Sequence, residues 1–105
     1  MTKITLYHAE WCGHCKRFKP IWEALKGVFK KNNVDYEEYE DSQHEEIIQN
    51  ARVEGFPTIR ITNDKGEEYD YNGERSADGI LHEVLPNLQM GGSKCNIYKI
   101  SYSLM

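Results

Sequence analysis

The sequence predicts an α/β fold: a mixed four-stranded sheet in the order 2-1-3-4, flanked by helices on both faces. Three observations carry this. Strand-like and helix-like segments alternate as β-α-β-α-β-β-α, the last two strands lie a short loop apart, and 105 residues suffice for one domain and not two. A strand–helix–strand start demands a parallel, right-handed crossover, whereas a four-residue loop leaves its strands antiparallel.

Residues 3–7 alternate polar and apolar and form the first strand. Phe18, Ile21, Trp22, Leu25, Val28 and Phe29 then recur on one helical face, with Lys16, Arg17, Lys19, Glu23, Lys26 and Lys30 opposite. This helix is expected from Gly13 to Lys31, kinked at Pro20 and ended by Asn32-Asn33. Residues 34–40 make a second strand. Ser42 and Glu45 have the spacing of a capping box for a short helix through Arg52, with Ile47, Ile48 and Ala51 inward. Thr58–Thr62 and Glu67–Tyr71 are strands joined by Asn63-Asp64-Lys65-Gly66, and Asn72-Gly73 turns the chain. Ser76 caps a last helix whose Ile80, Leu81, Val84, Leu85 and Leu88 share a face, bent or ended by Pro86. The domain is expected over 1–89, and 90–105 reads as a glycine-led linker and tail in which Ile97–Leu104 alternates enough to form a strand.

Thirteen basic and seventeen acidic residues give a formal net charge of −4. Without a positive excess, nucleic acid is not an expected partner. No apolar run approaches the ~20 residues of a membrane span. The first residues lack the apolar core of a secretory signal, and the chain does not end in a retention signal. A cytoplasmic or other non-secreted setting, and a monomer, are therefore expected.

The three cysteines are Cys12, Cys15 and Cys95. Cys12-Gly13-His14-Cys15 admits metal ligation or thiol–disulfide exchange. Structural zinc needs four ligands, and His8, His14, His44, His82 and Cys95 show no ligand spacing, so no metal is expected and redox chemistry leads. If the helix starts at Cys12, its sulfur faces unpaired N–H groups and the positive dipole end, which favour thiolate below the free value of ~8.5. Cys15, one turn further on, stands on the same face without those donors. Cys12 is thus the expected nucleophile, Cys15 the resolving thiol, and the disulfide between them the redox group, with no other cofactor. Gly13 permits close approach of a substrate. His14 is within reach of stabilising the Cys12 thiolate and raising the oxidising power of the site. Trp11 serves either as a packing shoulder or as a substrate contact.

The segment Ala9-Glu10-Trp11-Cys12-Gly13-His14-Cys15-Lys16 resembles the active site of the thioredoxin superfamily in its protein disulfide isomerase form. Val53-Glu54-Gly55-Phe56-Pro57-Thr58-Ile59 resembles that family's loop before its third strand, and Tyr71-Asn72-Gly73-Glu74-Arg75-Ser76 the stretch entering its last helix. The resemblance covers roughly residues 3–89. It implies a thioredoxin fold trimmed at the N-terminus and a cis bond at Pro57 that presents the Phe56 backbone to a bound peptide. It also implies that Arg75 lowers the pKa of the second cysteine; as a residue alone, Arg75 reads equally as a solvated helix cap.

One departure stands out. The family usually carries a buried acid six residues before the first cysteine, implied to move the proton of the second. That position is Leu6 here, so another group serves, or the deprotonation of Cys15 is left to Arg75 and water. Cys95 lies outside the resemblance and is either a regulatory thiol or a tail residue without a redox partner. The resemblance implies an oxidoreductase acting on protein disulfides or dithiols, together with a redox partner. The alternatives are a glutaredoxin-like enzyme using glutathione mixed disulfides and a redox-inactive binding module. Net direction of electron flow stays open.

Overall fold

In the computed structural model, residues 2–86 are described. The elements are β1 (Lys3–His8), α1 (Gly13–Lys31), β2 (Asp35–Glu40), α2 (Glu45–Asn50), β3 (Thr58–Thr62), β4 (Glu68–Asp70) and α3 (Ala77–Val84). The sheet has the order β2-β1-β3-β4, with β1 parallel to β2 and antiparallel to β3, and β4 antiparallel to β3. Leu88, Cys95 and the whole of 90–105 lie outside the described residues.

The period of two along each strand splits the sheet into unlike faces. Ile4 and Leu6 of β1 and Ile59 and Ile61 of β3 point to one side, where Phe18, Trp22, Leu25, Val28 and Phe29 of α1 and Ile80, Leu81 and Val84 of α3 close the core. Trp22 is its centre, 1% exposed and edge-on to both Phe29 and Tyr36. The other side is polar and aromatic. Tyr7 stacks on Tyr39, and the Arg60 guanidinium lies over the Tyr7 ring at 5.4 Å. Arg60 also bonds both carboxylate oxygens of Asp70, at 2.6 and 3.3 Å, and the Ala51 carbonyl at 2.6 Å. That last bond ties the end of α2 to this second face. Strand residues able to pair with one another explain how a face with only one short helix against it stays folded.

Both of the first two helices stop by the same device. Asn33 and Arg52 take φ of 58°, and the N–H groups of Val34 and Val53 reach back to the carbonyls of Phe29 (3.0 Å) and Ile48 (3.4 Å). A left-handed residue followed by this long backward bond satisfies carbonyls that the helix leaves over. Arg52 therefore cannot continue α2, which ends at Asn50, short of the expected Arg52.

α1 has the expected span and runs through Pro20 without a break, and the carbonyl that Pro20 leaves unbonded belongs to exposed Lys16, where water can take it. Other expectations are corrected. The capping box does not form: the Ser42 hydroxyl bonds the Glu40 carboxylate instead, and α2 begins only at Glu45 with no side-chain cap. The charged carboxylate orients the Ser42 hydroxyl towards Glu40, before the helix begins. Ile47 is 41% exposed, because a helix of six residues turns only Ile48 fully inward. α3 is capped by Ser76, whose Oγ accepts from the Gly79 N–H at 3.1 Å, and it ends at Val84 with Leu85 as its C-cap.

Candidate active site

Cys12 is the N-cap of α1. Its backbone is extended (φ −87°, ψ 115°), and its sulfur accepts the Cys15 N–H at 3.2 Å. A cap normally offers an oxygen to this orphan donor; here a sulfur fills the place, which couples helix initiation to the charge on that sulfur. The Cys12 N–H bonds the Ala9 carbonyl at 3.2 Å, and Lys16 N–H bonds the Cys12 carbonyl at 3.1 Å, fixing the turn on both sides. Both cysteines are thiols and both are buried, in a small cluster with Ala9 and with Phe56 packed against it.

Their electrostatics diverge. Burial pushes the Cys12 thiol up, but the Cys15 thiol, the N–H groups of Cys15 and His14, and the Arg75 charge outweigh it and bring Cys12 below an ordinary cysteine. Burial, then the bond to Cys12, pushes Cys15 up to about 11, against smaller lowering effects from an Ala9 backbone contact and from Arg75. One sulfur is eased towards the thiolate and its neighbour is held as a thiol.

Phe56 arrives from the loop before β3. Its peptide bond to Pro57 is cis, its carbonyl accepts from the Cys12 thiol at 3.4 Å, and its ring stands edge-on to Trp11 at 5.7 Å. Trp11 is 72% exposed, so its ring is a lip rather than a core shoulder. The space over Gly13 is open. Trp11, Cys12, Gly13, Cys15, Phe56 and Pro57 therefore form one surface. Two other sequence-predicted residues do not join it by contact. The His14 ring turns outward, where its Nδ1 accepts from an Arg17 guanidinium nitrogen at 2.9 Å; only its backbone N–H serves Cys12. Arg75 is exposed and reaches both sulfurs through charge alone.

Behind Cys15 opens a cleft of about 590 Å³ whose lining includes Leu6, His8, Phe18, Glu38 and Glu40. A larger depression of about 830 Å³, between Asn33, Ile61, Asp64 and Tyr69, contains neither cysteine. Glu38 accepts from Trp22 Nε1 at 3.3 Å, pairs with Lys26, and faces His8 Nε2 at 3.9 Å. Burial raises its carboxyl, but Lys26, Trp22 and His8 together hold it below the usual carboxylate range. Sequence reasoning missed His8 and Glu38. The available signal was alternation on β2, which puts charged Glu38 and Glu40 on the same side as core-facing Tyr36.

Residues 2–85 match the family model described as Thioredoxin. The chain belongs to the thioredoxin family. This thioredoxin domain is 41% identical over 87 residues to the protein disulfide-isomerase A6 homolog of Caenorhabditis elegans, covering 78% of this chain and 19% of that protein. It is 36% identical over 88 residues to human protein disulfide-isomerase A6, covering 79% and 19%. The chain thus spans about a fifth of the length of these curated relatives. Among solved structures, the first thioredoxin domain of mouse protein disulfide-isomerase A4 superposes with a TM-score of 0.66 at 32% identity, covering 79% of this chain and 60% of that one. The Trx4 domain of ERdj5, with a TM-score of 0.68 and 22% identity over 86% of this chain and 82% of that one, shares the fold.

These likenesses overturn the cytoplasmic or non-secreted expectation. Protein disulfide-isomerases A6 and A4 are proteins of the endoplasmic reticulum, which points to the secretory pathway. The sequence argument had rested on the two ends of the chain. In a thioredoxin domain that spans a fifth of its relatives, the ends carry no such information. The glutathione and redox-inactive alternatives are likewise not favoured, since the relatives are disulfide isomerases and the two cysteines stand together.

Proposed function

We propose that this domain is a thiol–disulfide oxidoreductase that acts on protein disulfides, with Cys12 as nucleophile, Cys15 as resolving thiol and the Cys12–Cys15 disulfide as its redox group. The observation that carries this reading is the opposed setting of the two sulfurs. Cys12 is lowered by hydrogen bonds at a helix N-terminus, and Cys15, one turn inside, is held up to about 11.

The steps follow from that geometry. The Cys12 thiolate attacks one sulfur of a substrate disulfide, forming a Cys12–substrate bond as the other substrate sulfur leaves as thiolate. An incoming chain rests against the Trp11–Phe56 lip, near the Phe56 carbonyl that the Cys12 thiol occupies when the site is empty. Cys15 then loses its proton and attacks Cys12. Substrate departs reduced by two electrons, and the domain is left with a Cys12–Cys15 disulfide. Run backwards, the same steps oxidise a dithiol; run without net electron transfer, they isomerise. A dithiol or disulfide partner resets the pair.

Insulin reduction driven by dithiothreitol tests the assignment. Wild type accelerates it and Cys12→Ser abolishes the acceleration. Cys15→Ser, reduced and then mixed with insulin after dithiothreitol is removed, stalls as a covalent adduct with insulin, visible on a non-reducing gel. Turnover that survives Cys12→Ser overturns the reading.

A further inference from the structure

Once Cys12 is joined to substrate, Cys15 must surrender a proton that burial makes hard to lose. We propose that His8, backed by Glu38, receives the proton of Cys15 when Cys15 displaces substrate from Cys12. This rests on the proposed function above and names a residue for its second step.

The cleft holds few candidates. Those facing it with a charge or a titratable group are His8 of β1, Glu10 of the loop before α1, Cys15, Lys16 and Lys19 of α1, Glu38 and Glu40 of β2, and His44 of the turn before α2. Lys16 and Lys19 are already cations. Glu10 is exposed. Glu40 is committed to the Ser42 hydroxyl and to the Glu10 N–H at 3.3 Å. His44 has its Nδ1 shut away without a partner and its ring edge-on to Tyr39, so a proton placed there would be a buried unpaired charge. Glu38 is kept ionised by Lys26 and Trp22, which makes it a weak base but a good anchor.

His8 remains. It follows the core-facing Leu6 by one period of β1 and is half-buried. Among the described residues, Glu38 is the only hydrogen-bond or ion-pair partner of the His8 side chain, through Nε2, which leaves Nδ1 open to accept; the His8 backbone carbonyl accepts from the Asp41 N–H at 2.8 Å. A cleft of about 590 Å³ admits water to carry the proton between Sγ and the imidazole. The balance is simple. The S–H proton of Cys15 passes to His8, the Cys15 thiolate takes Cys12 sulfur, the Cys12–substrate bond breaks, and the imidazolium protonates the departing thiolate or returns its proton to water. Glu38 acts as a positioning residue, stabilising the imidazolium across 3.9 Å.

Stopped-flow reaction of the reduced chain carrying Cys95→Ser with excess 5,5′-dithiobis(2-nitrobenzoate) reads the two steps separately. A first release of thionitrobenzoate marks attack by Cys12, and a second marks displacement by Cys15. In His8→Gln the second phase slows relative to the first by about a hundredfold at pH 7, at the low end of general-base assistance. Its pH profile changes as well, and added imidazole restores the phase. In Glu38→Gln the second phase also slows relative to the first, and added imidazole restores it there too. A ratio of phases and a pH profile unchanged in His8→Gln overturn the role of His8. Release from Cys12→Ser in the same background as fast as the first phase of its parent overturns the parent reading instead.

Discussion

Leu6 and Glu38 are register partners across β1 and β2, so the cleft behind Cys15 takes its strand carboxylates from β2 and none from β1. The apolar partner lies in the core and the charged one at the cleft wall, held by Lys26 and Trp22.

Moving the acid to β1 sets two effects against each other. Leu6 is 4% exposed, and a carboxylate there would be buried directly opposite Glu38. Like charges across a strand pair repel, and an unpaired buried charge is costly, so Leu6→Glu lowers stability by about 3 kcal/mol at pH 7. Its folded carboxyl is raised, so the loss grows as pH rises above the unfolded value of ~4.3 and shrinks towards acid. Leu6→Glu/Glu38→Gln recovers part of it. Urea midpoints at pH 7 and pH 4 check this, and an unchanged midpoint refutes it. The new carboxyl also speeds resolution by Cys15; equal second-phase rates from pH 6 to 8 would remove that idea.

The two thiols differ in reactivity as their settings differ. With Cys12 below its ordinary value and Cys15 at about 11, thiolate populations at pH 7 differ by at least ~100-fold. The weaker nucleophilicity of a low-pKa thiolate returns about tenfold of that, so Cys12 alkylates with iodoacetamide roughly ten times faster. Peptide mapping after brief labelling measures the ratio, and equal labelling contradicts it. Because burial raises Cys15 in the folded chain, its stabilising effect is complete below the unfolded ~8.5 and is lost as pH rises through about 11. Cys15→Ser flattens that alkaline fall.

Arg75 acts at a distance, and its effect is screened. Its charge lowers both sulfurs, so Arg75→Gln raises both and slows alkylation of Cys12 at pH 7. The difference from wild type shrinks at 1 M salt, where the Debye length is about 3 Å. A slowing that is independent of salt would show that Arg75 works by contact.

Two glycines give opposite outcomes on the same substitution. A Cβ on Gly27, inside α1, meets nothing within 4 Å, so Gly27→Ala gains helix propensity and stabilises by about 0.5–1 kcal/mol. A Cβ on Gly79 meets the Tyr71 hydroxyl at 2.5 Å and the Glu74 carbonyl at 2.8 Å. The Tyr71 hydroxyl is itself bonded to that carbonyl at 2.6 Å, which makes it a poor yielder. Gly79→Ala therefore destabilises by about 1–3 kcal/mol despite the same propensity gain. Thermal melts of the pair decide the matter; shifts of the same sign defeat the argument.

The amino-acid order alone determined the sheet order, the span of α1, the pairing of Cys12 with Cys15 one turn apart, and the family that these residues resemble. Those properties are written in near neighbours: apolar spacing sets each element, and a Cys-x-x-Cys at a strand-to-helix junction places one sulfur at the helix start. Tertiary structure decided partners that the local order, which placed the Ser76 cap, did not. Ser42 chose the Glu40 carboxylate over capping α2, and the His14 ring chose Arg17 over the Cys12 sulfur. His8 and Glu38, distant in sequence, met only through the parallel register of β1 and β2. A hydrogen bond forms with whichever partner packing brings within about 3 Å, and that proximity is a property of the folded whole.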